Sequence, residues 1–521
     1  MMKRRASWAV SFALLMVVAG CSSSGGSAGE GADSTPTPGG TYTLLGTYDP
    51  TSLDPIKQSA LNGSLGSGGD YMAGLYDMLG YVDPKSGKVV AKTAKSITTT
   101  DGLTWTITLN SGITFSDGTP YDAAAVAFNL ERERKPGTAQ AQTFSTISRI
   151  AVVDPLNVRL TLKTPNSLFD RILVSAAPFV ASPDAVKAAG AKYGTVGTKI
   201  VGAGAFVLDK WTPDSELSFS KNPKYWDAPH PYVEHYVYRI ITDEQTRFNA
   251  FASGEGDATF SLEHDFGAQA VDAGEKQLTA PKLSTEWMIL NETTAPFNDP
   301  RVRKAVNMAI DPQQFNSVMY QGKGTIARTF LTKNHPDYDP NARLLGYDKG
   351  GAQSLFDEAA ATLGGPVRFR LMCAPGVCAK AEAIQSLLAG YRNVQATVDV
   401  RPAADNFPAV ARGDYEVAIF SQTMPASFEP LVSTYWRSGQ ARVAQGDHPA
   451  VDAAIDQARG ALDENQREAA YRTLQEAMVS GSHVWFLPVV PPASSVAVAN
   501  RVHGARLLVF GISPEEVWVD H

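Results

Sequence analysis

The sequence predicts an α/β protein of two lobes, and three observations carry that prediction. Strand text and helix text mix along the whole body, with no internal repeat and no long polar break. Everything after about Gly39 reads as globular chain, long enough to hold a large core divided among two or three domains. After the N-terminal apolar run, no stretch approaches the roughly 20 residues needed to cross a bilayer.

Taken in order, the opening "MMKRRASWAVSFALLMVVAGC" has a positive head at Lys3, Arg4 and Arg5, then a greasy stretch, then Ala19-Gly20 before Cys21. That order predicts a secretory signal over residues 1–20, too short to remain as a stable anchor. Its end, "VVAGC", resembles a bacterial lipobox, in which the Cys21 thiol receives a diacylglyceryl group and becomes the mature N-terminus. Buried lipid methylenes then hold the protein at the membrane, at roughly 0.8 kcal/mol each. Residues 21–39, "CSSSGGSAGEGADSTPTPGG" up to its penultimate glycine, have no apolar periodicity and read as a flexible tether. Loss of Lys3, Arg4 and Arg5 with the signal takes the formal charge from -7 to -10. An acidic exported body argues against nucleic acid as a partner and against broad adsorption to anionic lipid.

The body opens with the alternating strand "GGTYTLLGTYDP". In "DGLTWTITLNSGITFSDGTPYDAAAVAFNLER", Leu103, Trp105, Ile107 and Leu109 alternate with threonines, the period of a half-buried strand. Asp101-Gly102 supplies the turn before it. Asp122 is placed to cap a helix with Val126 and Leu130 inside. "IVGAGAFVLDKW" contains Gly-x-Gly but leads into a strand. A bound phosphate needs a helix N-terminus there, so the glycines point to close backbone approach instead. "SELSFSKNPKYW" reads as a strand and a turn with exposed aromatics. In "FNDPRVRKAVNMAID", Asp299 caps, Pro300 takes the first helical position, and Val302, Ala305, Val306, Ala309 and Ile310 share a buried face. Arg301, Arg303 and Lys304 fall outside that stripe and read as solvated surface. Asp311-Pro312 repeats the signal. Asp463 and Gln466 have capping-box spacing, ahead of the stripe Ala470, Leu474, Ala477 and Met478.

Of three cysteines, Cys373 and Cys378 stand either side of Pro375-Gly376 in an exported chain, which favours a small local disulfide. A metal pair would need two further ligands. No Gly-x-Ser-x-Gly, His-Glu-x-x-His or Walker loop is present. The eight histidines are scattered; His235 and His264 sit beside acids without a second ligand at helical spacing. No catalytic residue, metal or cofactor is expected, although carboxylate pairs can assemble from distant segments.

Together, "TSLDP", "DGLTWTITLNSGITFSDGTPYDAAAVAFNLER", "GAGAFVLDKW", "KNPKYW", "FNDPRVRKAVNMAID" and "HPAVDAAIDQARGALDENQREAAYRTLQEAM" resemble, in order, the bacterial extracellular solute-binding proteins of family 5. These are the oligopeptide-, dipeptide- and nickel-binding proteins of ABC importers. The resemblance implies a bilobed type 2 periplasmic-binding clamshell with a subdomain inserted in lobe one. Lobe one would be 40–60, 180–278 and 489–521, with the insertion at 61–179; lobe two would be 279–488. The chain would cross between lobes near "APKLSTEW" and "FLPVVPP", and closure would trap a solute. It implies a monomer that binds a small molecule or short peptide and serves an ABC permease.

In the family's peptide binders, a lobe-two strand ends in a motif resembling W-x-x-D-x-x-[DE]-P, whose first acid pairs with the peptide amino terminus. Here the matching stretch is "VAIFSQTMPASFEPLVSTYW". Glu429-Pro430 fits its end, but Ala426 takes the place of the acid and Thr423 that of the tryptophan. A buried ammonium without a counter-charge costs several kcal/mol. Either Glu429 or another residue substitutes, or the ligand has no free amino terminus there. The ligand-binding candidates are Tyr48, Thr423, Met424, Ser427, Phe428, Glu429 and Trp436, with Met424 suited to an adaptable pocket. The alternatives are the same fold with a nickel chelate, sugar, opine-like or modified amino acid, or a cell-wall enzyme or scaffold lipoprotein.

Overall fold

The strand Thr41–Gly46 runs through the middle of a seven-stranded sheet, parallel to both neighbours, His235–Ile240 and Ala258–Ser261. Outward from these lie Glu216–Lys221 and Phe206–Thr212 on one side, Ser494–Val498 and Lys276–Ala280 on the other. The computed structural model describes residues 35–57, 68–138, 140–261, 266–280, 282–375, 377–419, 423–429, 431–438, 446–508 and 511–520. The signal, Cys21 and the tether up to 34 lie outside the described residues. Thr37–His521 forms one compact unit. No helix among the described residues is long and apolar enough to cross a membrane.

One face of this sheet buries Tyr42, Leu44, Phe219, Tyr236 and Tyr238 beneath the helix Gly69–Tyr76. Gly202 and Gly204 lie against the carbonyls of Leu75 and Gly74, where any Cβ would collide. The Gly-x-Gly of "VGAGAF" is thus a place where two backbones meet before the strand Phe206–Thr212. Tyr225 and Trp226, expected to be exposed, are not. Tyr225 is buried, its hydroxyl donates to Asp77 Oδ2 (3.0 Å), and Trp226 Nε1 donates to the same oxygen (2.9 Å). The reason is Asp77 itself, a buried carboxylate that needs donors and takes a third from Lys92 (2.8 Å).

A four-stranded antiparallel sheet, Ala94–Thr99, Thr104–Leu109, Asn157–Leu162 and Ile147–Asp154, forms a separate layer. Trp105, Ile107 and Leu109 face its core, and Asp101 Oδ1 closes the turn by accepting from the amides of Leu103 and Thr104 (2.8 and 2.7 Å). Asp122 caps the helix Ala123–Glu133 through the Ala125 amide (3.0 Å), which points Val126 and Leu130 inward.

The third large sheet has the order Val394–Val400, Val367–Cys373, Val417–Ala418, Trp287–Leu290, Trp485–Phe486. Against it packs the helix Pro300–Ala309, capped by Asp299, with Val302, Ala305, Val306 and Ala309 buried. Arg303 departs from its expected place in solvent. It is buried, Nη1 donates to the Phe297 carbonyl (2.7 Å), and the same atom lies 3.9 Å from Glu292 Oε2. A carbonyl and a nearby carboxylate partner its Nη1 where the apolar stripe alone gives no hint of burial. Asp311 and Asp463 cap the helices Pro312–Tyr320 and Glu464–Ser480. Cys373, ending its strand, is disulfide-bonded to Cys378, opening the helix Cys378–Leu388, with Cα atoms 5.3 Å apart. The chain passes from the seven-stranded to the five-stranded sheet between Ala280 and Trp287 and returns between Phe486 and Ser494.

Candidate functional site

The two passages between sheets lie side by side. Leu487 N donates to the Glu286 carbonyl (2.9 Å), and the first passage is further tied by Thr285 N to Phe330 O (2.7 Å) and Thr332 N to Leu283 O (2.8 Å). Glu286 holds two more groups in place: Lys380 Nζ at 2.7 Å and the Tyr320 hydroxyl at 3.0 Å. Lys282 stands in the same passage. Burial pushes its ammonium below the ordinary lysine value against the opposing pull of Glu286, and it makes no ion pair among the described residues. These strapped segments form a floor between the two sheets.

Residues 423–429 reach this floor. The Met424 amide donates to Ser284 Oγ at 2.6 Å, which places the segment directly beside the first passage. Thr423 is half-buried. Met424, Phe428 and Trp436 are buried in one apolar cluster with Trp287, Phe330 and Phe486, so packing accounts for them. Trp436 meets Trp287 edge-on at 4.8 Å. The Ser427 hydroxyl donates to the Glu429 carbonyl (3.1 Å) and shapes the turn. Glu429 Oε1 accepts from Arg459 Nε (2.9 Å) and Ser433 Oγ (2.5 Å), whereas Oε2 is buried without a donor among the described residues. Tyr48 is 56 % exposed just beyond the strand Thr41–Gly46.

The turn is also covered from the four-stranded sheet's side of the molecule. Gly87, at φ +65°, lies against the Ala426 carbonyl so closely that a Cβ would clash. Ser167 N donates to the Arg459 carbonyl (2.7 Å), and Leu168, wholly buried, belongs to the same apolar cluster as Phe428 and Trp287. His335 completes the enclosure, its Nε2 2.8 Å from the Pro425 carbonyl. Burial holds the His335 imidazole at about 4, so the ring is neutral and donates. None of these contacts has a local signature. Each joins residues tens to hundreds of positions apart.

A family model matches this architecture: bacterial extracellular solute-binding proteins, family 5 (middle region), over residues 88–444. The chain belongs to that family. Among curated proteins, the glutathione-binding protein GsiB of Salmonella paratyphi A is 31% identical over 326 residues, covering 62% of this chain and 60% of that relative. Among solved structures, AgaA of A. tumefaciens R10, in complex with agropinic acid, superposes with a TM-score of 0.79 at 22% identity, covering 92% of this chain and 99% of AgaA. A dipeptide-binding protein of Pseudoalteromonas sp. SM9913, in complex with Met-Leu, gives 0.78 at 21%, covering 92% and 100%. The family 5 chain therefore has the type 2 periplasmic-binding fold, with the passages at 282–286 and 487–493 as inter-sheet links among the described residues.

Proposed function

We propose that this family 5 protein is the extracytoplasmic receptor of an ABC importer. In this reading Cys21 carries the lipid that holds it to the outer face of the cytoplasmic membrane. The protein captures a peptide-like acid between two lobes and hands it, chemically unchanged, to the permease. Lobe one would be 40–60, 180–278 and 489–521 with the insertion 61–179, and lobe two would be 279–488. The double passage at residues 282–286 and 487–493 is the observation that carries the proposal, because two adjacent links make a hinge. Only a solute's differential affinity for the closed form can shift such an equilibrium.

Two features support an acid without a free amino terminus at the turn. Ala426 offers no charge, and Arg459 already neutralises Glu429. Lys282, a cation beside the hinge, would gain its counter-charge from a solute carboxylate. GsiB is a glutathione-binding protein and AgaA holds agropinic acid, so peptide-like and opine-like acids both lie within the reach of related chains.

Mass spectrometry of whatever co-purifies names the solute directly. A thermal-shift panel then compares acidic peptides with free and with acetylated amino termini. A ligand at 100 times its Kd adds about 2.7 kcal/mol, enough for a clear shift. Acetylated members should stabilise as well as free ones. A response confined to free amino termini would return the anchoring role to Glu429. For closure, Leu168→Ala removes a buried contact between the four-stranded-sheet region and the 423–429 turn. Small-angle scattering should then show a larger radius of gyration without solute; an unchanged radius would count against a clamshell latched there.

A further inference from the structure

Outside the passages, one cluster of ligating side chains stands at the other end of the strand Trp287–Leu290. Glu292 follows this strand, His448 precedes the helix Pro449–Gly460 and His483 precedes the strand Trp485–Phe486. One oxygen or nitrogen of each lies within 4.8 Å of the other two. Glu286 stands just before this strand and Glu292 just past its far end, so its four residues, about 13 Å of extended chain, lie between the cluster and the passages.

The spacing of the three side chains is compatible with a shared ion. Glu292 Oε2 is 3.2 Å from His448 Nε2 and 3.1 Å from His483 Nδ1. Ligands about 2.0–2.1 Å from a tetrahedral ion are separated by about 3.3 Å, close to both distances. His448 Nδ1 lies 3.3 Å from the Trp436 carbonyl. When Nδ1–H donates to that carbonyl, a neutral ring turns the Nε2 lone pair toward a carboxylate oxygen. Two lone pairs cannot bond, so a cation must lie between them, either a proton or a metal ion. A carbonyl that fixes the tautomer is the usual outer partner of a ligating histidine.

The surroundings leave space and a way in. A cavity of about 10 Å³ touches all three side chains, with Tyr435 and Trp436 as its aromatic wall. Gly446 makes room beside it: a Cβ there would stand 2.6 Å from His448 Nε2 and 2.8 Å from Glu292 Oε2. His448 is sealed, but the His483 side chain is 21% exposed and opens the site to solvent. The other charges that face it are Arg303, 3.9 Å from Glu292 Oε2, and Asp452, which acts on His448 through its field.

We propose that Glu292, His448 and His483 bind one divalent late first-row transition ion, with a fourth position left for water, at a site separate from the solute cleft. Two imidazoles and one carboxylate suit zinc and its neighbours and are poor ligands for magnesium or calcium. The ion would clip three segments of the five-stranded-sheet region that are distant in sequence.

The test uses full-length mature protein without a histidine tag, stripped with a chelator and titrated with zinc chloride against a chromophoric competitor. One equivalent should bind, and X-ray absorption should show two imidazole nitrogens at about 2.0–2.1 Å. His483→Ala and Glu292→Gln should each weaken binding at least about 100-fold, more than loss of an outer partner would. Gly446→Ala keeps every ligand but fills the space, and should weaken binding too. Circular dichroism and urea midpoints verify that each variant is folded. No stoichiometric zinc, or zinc that remains bound in both His483→Ala and Glu292→Gln, overturns the proposal and leaves the cluster a hydrogen-bonded triad. Solute binding read in parallel separates this outcome from failure of the receptor reading.

Discussion

Two buried carboxylates, one in the first turn of the helix Gly69–Tyr76 over the seven-stranded sheet and one just past the end of a strand in the five-stranded sheet, titrate in opposite directions. Asp70 is wholly buried, and burial pushes its carboxyl up to about 7. Its Oδ1 accepts from the Tyr71 amide (2.9 Å), but Oδ2 has no donor among the described residues. Tyr42, Tyr71, Tyr236 and Tyr238 surround it without offering a positive charge. The Glu292 side chain is only 8% exposed, and burial pushes it up as well. Donation from His448 and His483 outweighs that push and holds its carboxyl at about 2. Burial is common to both; the partners decide the sign. A buried acid without a cation is a cost to the fold, whereas one with cations is a fastening.

Substitution at Asp70 should give the larger effect. Its folded-state value lies above the unfolded one, so the folded chain holds the proton longer. Stability is therefore full below about pH 4 and is lost as pH rises through 7. Asp70→Asn keeps an acceptor for the Tyr71 amide and removes the penalty. Above pH 8 it should stabilise by about 4 kcal/mol, from a shift of about three units, and the gain should shrink to nothing near pH 4. Urea midpoints at pH 5 and pH 8.5 measure this. Parallel curves for the two proteins would mean that Asp70 finds a donor in solution.

Glu292→Gln should do the reverse. With metal excluded by chelator, loss of the carboxylate strands two imidazoles and the Arg303 guanidinium in a largely dry site. About 3 kcal/mol of stability should go, as when one partner of a buried pair is removed. If both substitutions moved the urea midpoint the same way, the contrast between a lone and a partnered acid would collapse.

Legibility in the sequence follows the range of the interaction. The caps at Asp122, Asp299, Asp311 and Asp463 were readable because each bonds an amide two or three residues away. The Gly-x-Gly at 202–204 was readable as a close approach, though its partner helix was not. Arg303 is buried against the sequence expectation because helical periodicity scores apolar residues and is blind to a guanidinium held by a carbonyl and a carboxylate. The Glu429–Arg459 pair spans 30 residues, and Glu292 reaches His448 across 156 and His483 across 191. Scattered histidines carry no spacing signal when topology alone brings them together. The motif singles out the turn at 423–429 as a candidate solute contact, but pattern cannot tell which of its side chains pack inward. Met424 and Phe428 do, and Glu429 spends its charge on Arg459.

The smallest expected effect refines the partnered side of the contrast by asking whether the guanidinium matters once two imidazoles are present. Arg303 Nη1 donates to the Phe297 carbonyl at 2.7 Å and faces the Glu292 carboxylate as an ion pair at 3.9 Å, and Nε is buried without a partner among the described residues. Arg303→Met fills similar volume, relieves the unpaired Nε and sacrifices one hydrogen bond from a charged donor, for a net loss of about 1.5 kcal/mol. That is about half the loss expected for Glu292→Gln. The double variant should lose less than the two single losses added together, because Arg303 has no carboxylate left to face once Gln stands at 292. Strict additivity in that cycle would assign the fastening to the histidines alone and reduce Arg303 to a clamp on the Phe297 carbonyl.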